Sequence, residues 1–163
     1  MRYFAYGSNM YTKRIQGRVP SAKSIAVGYI TEHELHWHKV SKKDGSGKCD
    51  CCFTGSPDDK VYGVVFEIDP SQKAELDRFE GLGYGYDEKQ VIVITDAGEV
   101  DAITYFATNT DSSLQPFHWY KKHVVAGACE HRLPVDYIRK LENTPEAIDS
   151  DEERARKELS ILE

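Results

Sequence analysis

Strand-like stretches follow one another along this chain more often than they alternate with helices, and that succession most narrows the folds open to it. Short alternating or β-branched runs occupy residues 2 to 6, Ser24 to Glu32, Glu34 to Val40, Lys48 to Thr54 and Val61 to Ile68. In the third of these, Leu35 and Trp37 alternate with His36 and His38, as on a half-buried sheet. Gln90 to Thr95 and Val100 to Thr108 form a hairpin pattern around Ala97-Gly98. Helical signals are fewer. Met10 to Gly17 is closed by Gly17 and Pro20, and Pro70 to Phe79 is capped by Asp69 with Leu76 and Phe79 on one face. Pro116 to Cys129, Pro134 to Leu141 and an acidic helix begun by Thr144-Pro145 complete the chain. Such an order predicts an α+β protein: a mixed, largely antiparallel sheet or small barrel with peripheral helices, not a doubly wound fold.

At 163 residues the chain has the length of one domain, 1–163, with residues 144–163 expected as an acidic helix packed on it. A content of 40% hydrophobic and 29% charged residues is that of a soluble globular protein. No apolar run reaches transmembrane length and no signal peptide is visible, so a cytoplasmic location is expected. The net charge of −6 is concentrated at one end: Leu141 to Glu163 holds eight acidic and three basic residues. A nearly neutral body without a basic stripe argues against nucleic acid or a membrane surface as partner and favours a small solute. A homodimer stays open.

Two places could carry chemistry. Tyr6-Gly7-Ser8-Asn9 ends a strand and starts a helix, where unpaired N–H groups and the helix dipole can hold an anion. A plain helix start, capped by Ser8 or Asn9, is the simpler reading. Glu80 stands where a helix stops, ahead of Gly81-Leu82-Gly83-Tyr84-Gly85-Tyr86, and can project from that turn into a cleft; a surface glutamate is the alternative. The Gly-x-Gly-x-Gly spacing precedes a strand, whereas a dinucleotide fingerprint follows one.

Taken in register, Tyr3-Phe4-Ala5-Tyr6-Gly7-Ser8-Asn9-Met10, Val61-Tyr62-Gly63-Val64-Val65-Phe66, Leu76-Asp77-Arg78-Phe79-Glu80-Gly81, Tyr120-Lys121-Lys122 and Gly127-Ala128 through Leu133-Pro134 resemble the gamma-glutamylcyclotransferases. The resemblance covers residues 2 to 141. It implies a small barrel-centred fold and a cofactor-independent enzyme that cyclises a gamma-glutamyl group to 5-oxoproline, releasing the attached amine. By motif position, Glu80 matches the catalytic glutamate. Tyr3, Phe4, Ala5, Tyr6, Gly7 and Ser8 match the substrate loop, and Tyr120 matches a tyrosine lining the site. Asn9 stands where glutathione-specific relatives usually carry leucine, which points to gamma-glutamyl amino acids or gamma-glutamylamines. Tyr86 supplies a hydroxyl or a ring wall beside the substrate, unless it is a plain core aromatic.

The expected chemistry suits these residues. The substrate's own alpha-amine is the nucleophile, so the enzyme has to fold the substrate and shuttle a proton, a task for Glu80. The N–H groups near Gly7 and Ser8 would hold the alpha-carboxylate or the oxyanion. Removal of a gamma-glutamyl protecting group and a binding module without turnover are the other readings of the same residues. His33, His36 and His38 with Cys49, Cys51 and Cys52 lack a standard zinc spacing, and no metal is expected. A Cys51 or Cys52 nucleophile has no recognisable orienting partner, and reduced thiols are expected.

Overall fold

A computed structural model describes residues 1–163. Five strands close into a barrel in the order β1 (Arg2–Ala5), β5 (Lys60–Glu67), β2 (Lys23–Thr31), β6 (Tyr86–Thr95) and β7 (Gly98–Ala107). All neighbours are antiparallel except β1 and β7, which run parallel. The remaining strands, β3 (His33–Val40) and β4 (Gly47–Phe53), form a separate two-stranded sheet. This is the expected mixed, largely antiparallel barrel with helices around it.

The near-continuous apolar run of β5 reflects its place between β1 and β2. Val61, Val64, Val65 and Phe66 are all buried, each worth about 1.5–3 kcal/mol when fully removed from water. Tyr62, on the same strand, packs against Tyr137 with ring centroids 5.0 Å apart. The barrel closes along a short seam. β1 pairs with β7 at Tyr3↔Ile103 alone, and side chains complete the join: Thr104 Oγ1 donates to Phe4 O at 2.8 Å and the Tyr6 hydroxyl to Tyr105 O at 2.5 Å.

The helices are α1 (Thr12–Arg18), α2 (Lys73–Glu80), α3 (His118–Glu130), α4 (Val135–Glu142) and α5 (Glu152–Leu159). None is long and apolar enough to cross a membrane. Helix α3 presses on the segment after β1 through Gly127, where a Cβ would lie 2.5 Å from Tyr11 N and 2.6 Å from Met10 Cβ.

Three boundaries depart from the sequence expectation. Ser8–Met10 is a 3₁₀ turn and α1 begins only at Thr12, after an extended Tyr11. Neither Ser8 nor Asn9 caps it; Glu130 of α3 accepts the Thr12 N–H at 2.9 Å. Strand β6 starts at Tyr86, four residues before its apolar pattern, because its ladder with β7 already begins at Tyr86↔Ala107, with Glu88 and Lys89 bonded to Lys73 and His33. The acidic helix starts at Glu152, with Asp151 accepting the Arg154 N–H, not at Thr144-Pro145. Ala147 instead runs beside Phe117, exchanging backbone hydrogen bonds of 2.9 Å with Pro116 and His118.

Candidate active site

A cavity of about 390 Å³ opens beside the barrel seam, walled by the Tyr6–Asn9 turn, the end of α2, β3, the start of β4 and faces of α1, α3 and α5. Glu80 is the last residue of α2. The next residue, Gly81, takes the left-handed conformation (φ 75°) that ends the helix, so the glutamate sits where the chain turns away and its side chain enters the cavity. Its carboxylate is held by neutral donors. The Tyr3 hydroxyl donates to Oε1 at 2.9 Å and Asn9 Nδ2 donates to the same oxygen. Asn9 is itself fixed by Arg18, whose Nη1 donates to Oδ1 at 2.9 Å.

Burial raises the Glu80 pKa above the ordinary glutamate value, although Arg18, the Tyr3 hydroxyl and Lys39 pull the other way. Its place at the negative end of α2 adds to the disfavour of charge. A carboxyl poised this way exchanges a proton more readily at neutral pH than a solvated one.

Beside the carboxylate lies the turn, whose Asn9 side chain reaches it directly. The N–H groups of Gly7, Ser8 and Asn9 donate to no acceptor within the protein, whereas Met10 and Tyr11 bond back to Gly7 and Ser8. Glu130 already occupies the first N–H of α1, so the free donors at this end of the cavity are those of the 3₁₀ turn. Tyr120 accepts the Cys49 N–H at 3.1 Å through its hydroxyl oxygen, leaving its proton available to the cavity. The Tyr86 hydroxyl donates to Cys49 O at 2.6 Å, so this residue offers the cavity a ring wall.

Of the residues singled out from sequence, Glu80, Tyr3, Tyr6, Gly7, Ser8, Asn9, Tyr86 and Tyr120 line this one cavity. Phe4 and Ala5 do not. Both are buried, 0% and 1% exposed, in the core: Ala5 sits opposite Val64 in the β1–β5 ladder, and alternation turns Phe4 away from the face of Tyr3.

The wall also holds charges that the motifs did not reveal. Seven lining side chains are cationic and three acidic, in a chain of net charge −6. Arg14 and Arg18 stand one helical turn apart on α1, a spacing that could have pointed to a shared face toward the turn. Lys39 rests its ammonium 4.6 Å from the Tyr86 ring centroid with no carboxylate partner. Lys48 is tied to Asp44 at 2.9 Å and lies over the rings of Trp119 and Tyr120. Glu158, from α5, pairs with Arg14 at 2.6 Å. No local signal marks Glu158.

The thiols and imidazoles are engaged elsewhere. Burial pushes the Cys49 thiol up to about 12 and the Cys51 thiol to about 11, far from a thiolate at neutral pH. His38 spends Nε2 on Asp50 at 2.8 Å, and His33 Nε2 meets Lys89 Nζ at 2.6 Å.

Fold and cavity together define an AIG2-like barrel with a half-buried carboxylate in a cavity beside a turn that has free backbone donors; the pattern of the AIG2-like family matches residues 60–141. The chain is 38% identical over 144 residues to a gamma-glutamylcyclotransferase of Bos taurus, across 85% of this chain and 76% of that protein. The Homo sapiens protein of the same name gives the same identity and coverage. A solved gamma-glutamyl cyclotransferase superposes with a TM-score of 0.83 at 32% identity, covering 96% of this chain and 98% of the other. The chain belongs to the gamma-glutamylcyclotransferase family of enzymes.

Proposed function

We propose that the protein converts a gamma-glutamyl amino acid or gamma-glutamylamine to 5-oxoproline and the free amine, with Glu80 as general base and then general acid. The observation that carries this reading is the Glu80 carboxylate, bound by Tyr3 and Asn9 in a cavity that is also lined by Gly7, Ser8 and Asn9, whose backbone N–H groups have no acceptor within the protein. The substrate's alpha-amine attacks its own gamma-carbonyl carbon, closing a five-membered ring. Glu80 takes a proton from the attacking nitrogen and returns it to the departing one as the old amide C–N bond breaks. Every atom comes from the substrate, so the protein supplies orientation and proton transfer. The donors at residues 7–9 suit either the alpha-carboxylate or the oxyanion of the tetrahedral intermediate.

The cationic wall supports an anionic substrate. Lys39, unpaired beside the Glu80 end, together with Lys42 and Lys43 on the rim, favours a leaving group that carries a carboxylate, hence an amino acid over a plain amine.

The test is 5-oxoproline release over a panel of gamma-glutamyl amino acids and amines, with Glu80→Gln alongside. Turnover by wild type on amino-acid members, lost in the variant, is the expected result. Wild type inactive on the whole panel would sink the enzyme reading, and equal activity in both would show that Glu80 is misassigned.

A further inference from the structure

We infer that helix α5 is part of the cavity's working wall and that Glu158 is a positioning residue, acting through Arg14 on Ser8. The inference rests on the cyclotransferase reading of the site and adds to it a segment outside the residues that carry the family pattern. The geometry is a chain of contacts leading inward. Glu158 Oε2 lies 2.6 Å from Arg14 Nη1, and Arg14 Nε donates to Ser8 Oγ at 3.2 Å. The Arg14 side chain is 6% exposed and that of Glu158 25%. His123, fully buried, closes behind Glu158 with Nε2 at 3.5 Å from Oε2, beyond a good hydrogen bond, and neither ring nitrogen is hydrogen-bonded.

A surface ion pair in this place would contribute little and require no role. This pair is different, because Glu158 is the carboxylate that compensates a buried guanidinium, and that guanidinium holds the hydroxyl of the turn proposed to grip the substrate. The tail has attachments besides Glu158. Asp149, itself buried, accepts the Trp119 indole N–H at 2.9 Å and the Arg154 guanidinium, while Ala155 and Leu159 pack on the core. Glu158 is thus an addition to a helix already docked, directed at the cavity.

A merely structural role and a positioning role differ in how losses combine. Kinetics of 5-oxoproline release by the full chain would be measured for Glu158→Gln, Ser8→Ala and the double variant, with melting temperatures recorded. Expected is a roughly tenfold fall in kcat/KM for Glu158→Gln, in line with a small displacement of a binding group, and no further fall when it is added to Ser8→Ala. Glu158→Asp recovers most of the loss, and Glu153→Gln, on the exposed side of the same helix, behaves as wild type. Should Glu158→Gln fail to fold, Arg14→Lys, which keeps a cation beside Glu158 but removes the Nε donor to Ser8 Oγ, carries the same comparison with Ser8→Ala. Wild-type kinetics in Glu158→Gln, or losses that multiply in the double variant, overturn the inference alone. Absence of turnover in wild type across the whole panel overturns the cyclotransferase reading and this inference with it.

Discussion

Glu80 and Glu158 line the same cavity and are driven in opposite directions. Glu80 is held by a phenol and an amide at a helix C-terminus, and burial wins: its pKa is raised. Glu158 is also penalised by burial, yet the His123 contact and Arg14 outweigh it and bring its pKa down to about 2. One carboxyl holds its proton to a higher pH than an ordinary glutamate; the other is kept as a negative charge. Two acids pushed apart by their surroundings fit the proposed roles, proton transfer for Glu80 and electrostatic positioning for Glu158.

The contrast can be broken most severely at Glu80. Glu80→Gln is expected to lower kcat by about 10²–10⁴-fold, the range for loss of a general acid–base group. Its stability should move the other way. A carboxyl with a raised folded pKa carries no penalty below the ordinary glutamate value of 4.5 and weakens the fold as pH rises through its folded pKa. Melting temperature at pH 7 is therefore expected to be equal or higher in the variant, the difference closing in acid; a lower one would refute the burial argument.

Arg14→Met should do the converse, leaving Glu158 unpaired at the cavity wall. A loss of about 3 kcal/mol is expected in denaturant titration at pH 7. Here the folded pKa is depressed, so the stabilisation is present above 4.5 and disappears as pH falls toward about 2. Wild type and variant should converge over that window, and parallel curves would show that the pair is not the cause. The smallest effect is expected at Tyr3→Phe, which removes one donor from the Glu80 carboxylate. The acid limb of the pH–rate profile should shift upward by about one unit; an unmoved limb would detach Tyr3 from the titrating group.

Legibility in the sequence followed the same division. Glu80 could be found because a helix end, a following glycine and a strand lie within a few residues of each other. The turn at residues 6–9 was legible for the same reason, and so was the strand order that made a barrel the natural outcome. Phe4 and Ala5 were carried along with their neighbours, although strand alternation sends Phe4 to the opposite face from Tyr3. Arg14, Lys39 and Glu158 reach the cavity through contacts across the chain that no short window contains; Glu158 lies 144 positions from its partner. The tail looked like a continuous helix from Thr144 because its composition is helical, but backbone pairing of Ala147 beside Phe117 holds that stretch extended.

The barrel seam has a dynamic corollary. A ring joined by one backbone pair, Tyr3↔Ile103, with Thr104 and Tyr6 as side-chain stitches, is a ribbon fastened by a clasp. Amide exchange should find its low-energy openings along that clasp before the β6–β7 ribbon, which is paired over ten positions from Tyr86↔Ala107 to Thr95↔Gly98. Because Tyr3 is both the fastener and a hydrogen-bond donor to Glu80, each such opening is expected to loosen the Glu80 carboxyl as well. Opening of the barrel and release of the Glu80 carboxyl are therefore expected to occur together.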